Sequence, residues 1–146
     1  MRRLAAFATV SAGVLLASPL VSSAYGAARL PVELVADQSF TGGLNTFTLN
    51  VPECPSGTTT DLRTMVRLTP APGVFHGIRR FDCAAGAGSV TVSVSARFGP
   101  GGSVGTWSVV ASQGVLAGAH GSGKLVGTPI PDGIRDTYTG TVTLTG

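Results

Sequence analysis

Charge is scarce in this chain. Asp, Glu, Lys and Arg supply 12% of its 146 residues, and Lys124 is the sole lysine. The arginines are scattered among acids, so the basic stripe that a nucleic-acid binder requires is missing. There are only two cysteines and two histidines. No Cys-x-x-Cys or His-x-x-x-His spacing occurs, which removes the usual zinc frameworks. The run Asp132-Gly133-Ile134-Arg135-Asp136 has too few oxygens for a calcium loop. Asn45 and Asn50 both lack the Ser or Thr two places on that N-glycosylation needs. Nothing in the chain implies a metal or an organic cofactor.

Two near-motifs fail on context. Gly118-Ala119-His120-Gly121-Ser122-Gly123-Lys124 approaches a phosphate-binding loop, but Leu125 stands where a magnesium-holding Ser or Thr belongs. Val126-Gly127-Thr128-Pro129 then reads as strand and turn, not as a helix whose N-terminus could meet phosphate. Gly101-Gly102-Ser103-Val104-Gly105 spells G-x-S-x-G, yet a strand comes next where the hydrolase fold needs a helix. A glycine-rich hairpin is the better reading.

Long apolar runs are also absent, with one exception. After Met1-Arg2-Arg3, residues Leu4 to Leu20 carry no charge; Pro19 ends the run and Ser22-Ser23-Ala24 offers a small-residue exit. A positive start, an apolar middle and a small-residue exit describe a secretory signal peptide over 1–27, cut after Ala24, Gly26 or Ala27. The run is too short and too diluted by Ser, Thr and Gly to be a membrane anchor, so no span is expected after processing. Loss of Arg2 and Arg3 leaves basic and acidic residues almost balanced. In an exported protein, Cys54 and Cys83 are expected to pair, enclosing a loop of about 30 residues.

Over 28–146 the dominant signal is alternation. Phe47, Leu49 and Val51 oppose Thr46, Thr48 and Asn50; Val90, Val92, Val94 and Ala96 oppose Thr91, Ser93, Ser95 and Arg97. Period two is the strand signature. Asp61 to Thr69 reads with Leu62, Thr64, Val66 and Leu68 inward and Asp61, Arg63, Met65 and Arg67 outward. Further strands are expected at 32–36, 74–83, 104–111, 122–127 and along the C-terminal run. Breaker clusters such as Pro70-Ala71-Pro72-Gly73 and Gly99-Pro100-Gly101-Gly102 separate them. Gln113 to Ala119 is expected to make one helical turn. About eight such strands predict a single all-β domain, an antiparallel β-barrel, with a β-sandwich as the alternative.

One position breaks the pattern. Alternation in the last strand puts Asp136 on the face of Ile134, Tyr138, Val142 and Leu144, and Arg79 shares its face with Phe75, Phe81 and Cys83. Buried charges demand partners. The sharp expectation is therefore an Asp136–Arg79 pair at the barrel mouth, with Tyr138 and Trp107 lining the same cavity. The bland one leaves Asp136 at a strand end in solvent. His76 and His120 are candidate general bases by residue type only.

The second half carries Phe81-Asp82-Cys83, a Gly-x-Gly, Gly105-Thr106-Trp107, Gly114-Val115-Leu116-Ala117-Gly118, Gly121-Ser122-Gly123 and Asp136-Thr137-Tyr138-Thr139-Gly140. This arrangement resembles small secreted actinobacterial proteins of unassigned function. Its glycine spacing is also similar to the glycine-rich strand of dirigent and allene oxide cyclase-like β-barrels, although Ser112-Gln113-Gly114 departs from that pattern. The second resemblance implies an eight-stranded barrel with a cavity, and an oligomer.

Two main classes of function fit these residues. One is a non-catalytic secreted protein that binds a small apolar ligand in Trp107- and Tyr138-lined space, or a cell-surface partner. The other is a cyclase- or isomerase-like barrel enzyme steering a reactive intermediate with Asp136, Arg79, Tyr138 or His120. A convergent Asp, Arg and Tyr cluster favours the second, and scarcity of titratable groups favours the first. A protease inhibitor presenting the Pro70–Gly73 loop is a third class.

Overall fold

Each stretch of alternating apolar and hydroxyl side chains forms a strand. The computed structural model describes residues 28–145, so the leader expected over 1–27 lies outside the described residues. The strands are β1 (Arg29–Ser39), β2 (Thr46–Leu49), β3 (Ser56–Arg67), β4 (Gly73–Cys83), β5 (Gly88–Gly99), β6 (Gly102–Gly114), β7 (His120–Ile130) and β8 (Gly133–Thr143). All neighbours are antiparallel, and β8 returns to β1 to close an eight-stranded barrel. Closure is the physical answer to edges, because it pairs the backbone groups an open sheet would leave exposed. Most strands are longer than the alternation alone indicated. Among the described residues no helix is long and apolar enough to cross a membrane.

Antiparallel order puts the turns at two ends. The β2–β3, β4–β5 and β6–β7 turns share one end with the start of β1 and the end of β8. There Cys54 and Cys83 are joined, with Cα atoms 5.3 Å apart. The β6–β7 turn folds as expected into successive three-residue turns, with Leu116 N–H bonding Gln113 O and Ala119 N–H bonding Leu116 O. Leu116 and Ala119 are buried there and cap this end. The four remaining turns form the other end, which stays open. Around it stand exposed apolar side chains: Phe40, Leu44, Met65 and Leu68.

The inside is layered. Phe47, Phe81, Tyr138 and Trp107 form a chain of edge-to-face contacts across the barrel, with centroids 5.3, 5.4 and 6.5 Å apart in turn. Such geometry sets ring edges against ring faces and adds to the burial of large apolar groups. Trp107 has room because its neighbours across β7 and β8 are Gly123 and Gly140. A side chain at Gly140 would come within 2.9 Å of the indole. The glycines of the Gly118–Gly123 run thus mark a close approach, one of the two reasons a strand tolerates them.

Three facing assignments in β3 and at its end are corrected. The register of β3 against β4 slips between Asp61 and Arg63, so Asp61 opposes Arg79 while Val66 opposes Phe75. A bulge places two residues against one and resets which face later side chains take. Asp61 therefore points inward, not outward. Leu62, at the bulge, and Leu68, at the strand end, are exposed rather than buried. Alternation cannot reveal a bulge, because the rule assumes an unbroken period.

Candidate functional site

Above the aromatic layer lies a layer of charge. Arg79 sits on β4, Asp136 and Tyr138 on β8, Asp61 on β3 and Gln38 on β1. All of these except Asp61 are almost wholly buried. Arg79 Nη1 donates to Asp136 Oδ2 at 2.8 Å and to Tyr138 Oη at 2.5 Å. Its Nε donates to Asp61 Oδ1 at 2.6 Å and its Nη2 to Asp61 Oδ2 at 3.2 Å. Gln38 Nε2 donates to Asp136 Oδ2 at 2.6 Å. The guanidinium also stands over the Phe75 ring, 5.8 Å from its centroid. Arg79 therefore spends four of five N–H donors inside the protein.

The pair expected from the sequence is present, and the solvent-exposed alternative for Asp136 is excluded. Its setting differs from the expectation in two respects. The charges lie inside the barrel, below its mouth, and Trp107 does not share their cavity. Trp107 and Tyr138 line a separate, wholly apolar space of about 50 Å³ toward the disulfide end, with Phe81, Leu116 and Val142. Tyr138 presents its ring to that compartment and only its hydroxyl to Arg79. The remaining candidates stay outside. His120 is exposed at the start of β7, at the disulfide end, and His76 is exposed on the outer face of β4. The Pro70–Gly73 turn joins β3 to β4 at the open end.

Toward the open end the charged layer floors a cavity of about 410 Å³. Its walls include Phe40, Phe75, Phe98, Val94, Leu125 and Ile134, and its floor includes Gln38, Asp61, Arg79 and Asp136. Size and lining match those of small-molecule sites, which are mostly apolar with a few placed polar groups. The aromatic layer lies beneath this floor, and the cavity faces the open end of the barrel.

Burial raises the Asp136 carboxyl above the ordinary carboxylate range. Arg79 opposes the shift but does not cancel it, because its charge is shared with Asp61, whose own carboxylate adds repulsion. Burial likewise raises the Tyr138 phenol well above its usual value, which keeps it a neutral hydroxyl. Asp136 is thus a carboxyl that holds its proton more tightly than usual at a cavity floor, a setting typical of functional sites.

Sequence reasoning missed Asp61, Gln38 and Ser103. Asp61 was hidden by the bulge. Gln38 was legible in principle, since continuing Val32, Leu34 and Ala36 by one step of two reaches it. Ser103, dismissed with its G-x-S-x-G context, lines the cavity wall. Among the described residues no group of three or more His, Cys, Asp or Glu is placed to hold a metal ion. No protein-family model matches the chain, and no curated protein or solved structure matches it either.

Proposed function

We propose that the protein is exported and acts outside the cell as a non-catalytic binder of a small, largely apolar ligand. The observation that carries this reading is the 410 Å³ cavity, whose walls are apolar apart from Ser103 and whose floor is polar. Barrels of about eight strands hold one small ligand in this way. The disulfide suits an oxidising compartment. Exposed Phe40 and Leu44 at the mouth extend the apolar lining outward.

The cyclase- or isomerase-like alternative draws support from the convergence of Asp136, Arg79 and the Tyr138 hydroxyl. Against it, Tyr138 turns its ring into the other compartment and His120 stands at the far end. Arg79 engages both oxygens of Asp61. Asp136 Oδ2 already accepts from both Arg79 and Gln38.

Titration with the neutral fluorescent probe N-phenyl-1-naphthylamine tests the binding reading. Saturable enhancement is expected for the protein, with loss in Ala96→Phe, which fills the cavity wall. No enhancement with the unaltered protein would overturn it.

A further inference from the structure

The cavity floor has a sign. Two carboxylates, Asp61 and Asp136, face one guanidinium, and neither another arginine nor a lysine or histidine lines the cavity. Arg79 has committed its donors to those carboxylates and to Tyr138. A carboxylate or phosphate ligand would find almost no free donor and one surplus negative charge. The Asp136 side chain is only 7% exposed, and both of its hydrogen bonds fall on Oδ2. Oδ1 receives none from the described residues, yet it is not sealed from the cavity that Asp136 lines.

A second oxygen lies close to Oδ1. On β7 the residue opposite Asp136 is Gly127. A side chain there would collide with Ser103 Oγ and come within 2.7 Å of Asp136 Oδ1. The missing side chain at Gly127 lets the Ser103 hydroxyl, Asp136 Oδ1 and Ile134 Cδ1 pack over the backbone there, which brings the two oxygens together in the wall of the cavity that both residues line. A carboxylate oxygen and a hydroxyl side by side in a largely apolar wall fit one head group best: a cation that donates hydrogen bonds.

We infer that the ligand is an organic cation, a protonated amine on an apolar, aromatic-sized body, held with its ammonium between Asp136 Oδ1 and Ser103 Oγ. The inference rests on the binding function proposed above and names its ligand class. The body lies among Phe75, Phe98 and Ile134, and the ammonium supplies the positive charge the floor lacks. An isolated buried charge is costly and a paired, hydrogen-bonded one is not. Asp136 resolves its surplus charge either by taking a proton or by taking this cation. Binding the ammonium at neutral pH releases whatever proton the carboxyl held.

Three probes of one shape test the assignment: 2-naphthylmethylammonium, 2-naphthylmethanol and 2-naphthoate, titrated by naphthalene fluorescence at pH 7.5. The ammonium is expected to bind about tenfold or more tighter than the alcohol, and the carboxylate weakest. Asp136→Asn is expected to erase the advantage of ammonium over alcohol, read as the ratio of their two affinities for the same variant. Ser103→Ala is expected to weaken ammonium binding severalfold. Equal affinity for all three, or a preference for 2-naphthoate, would overturn the inference and leave apolar binding intact. Failure of all three probes together with N-phenyl-1-naphthylamine would overturn both readings. Should Asp136→Asn not fold, the head-group series on the unaltered protein and Ser103→Ala still decide.

Discussion

Replacing Arg79 with methionine keeps an unbranched apolar stem while deleting the charge. The arginine side chain is 5% exposed and bridges Asp136, 7% exposed, to Asp61, 35% exposed. Removing one partner of a buried ion pair costs about 3–5 kcal/mol, because the other charge stays behind in a poor solvent. The Asp61 share is discounted, since a third of that carboxylate already faces water. Most of the loss therefore falls on Asp136, left with Gln38 as its only donor. For a domain of this size the melting temperature is expected to fall by roughly 10–20 °C at pH 7.5. The loss has a pH signature. Asp136 has a raised carboxyl in the folded state, so its contribution is fully present below the unfolded pKa and is lost as pH rises through the folded one. Without Arg79 that folded value rises further, and the deficit must shrink as the pH approaches 4. Circular dichroism melts of both proteins at pH 4.5 and 7.5 measure this. A deficit of equal size at both pH values would refute the reasoning. So would a double variant, Arg79→Met with Asp136→Leu, no more stable than Arg79→Met alone.

Other expectations concern the frame around the site. Cys54 and Cys83 lie 29 residues apart in sequence. Removing both thiols as serines should cost about 3–4 kcal/mol in the loop-entropy treatment, read as a lower denaturation midpoint; an unchanged midpoint would count against it. The Thr59 hydroxyl is buried without a hydrogen-bond partner. Thr59→Val should then be neutral or stabilising by up to about 1 kcal/mol, and clear destabilisation would show that the hydroxyl is satisfied. A side chain at Gly123 would strike the Thr139 carbonyl oxygen, whereas one at Gly99 would meet nothing within 4 Å. Gly123→Ala should lower stability by about 1–3 kcal/mol. Gly99→Ala should not, and equal effects would remove the packing role given to Gly123.

Much of the barrel was legible residue by residue. The alternation of Val90, Val92, Val94 and Ala96 against Thr91, Ser93, Ser95 and Arg97 names both the strand and its buried face. That local rule works because pleating is a property of the backbone alone. It also placed Asp136 and Arg79 on inner faces, and two opposite buried charges in one small core have few ways to be satisfied except by each other. The same rule failed at Asp61 and Leu62, where a bulge resets the period. Trp107 was expected in the cavity of the charged pair and lies in the other compartment, because the register between strands decides which layer it joins.

From the order of its residues alone, this protein was determined to be pleated, antiparallel, cross-linked once and poor in charged side chains. Each of those properties follows from neighbours one or two places apart, or from simple scarcity. Only the closed barrel decided that β1, β3, β4 and β8 send Gln38, Asp61, Arg79 and Asp136 to one depth, with an aromatic layer beneath and an open cavity above. Depth inside a barrel is fixed by the register between strands, and register is set by contacts between residues distant along the chain.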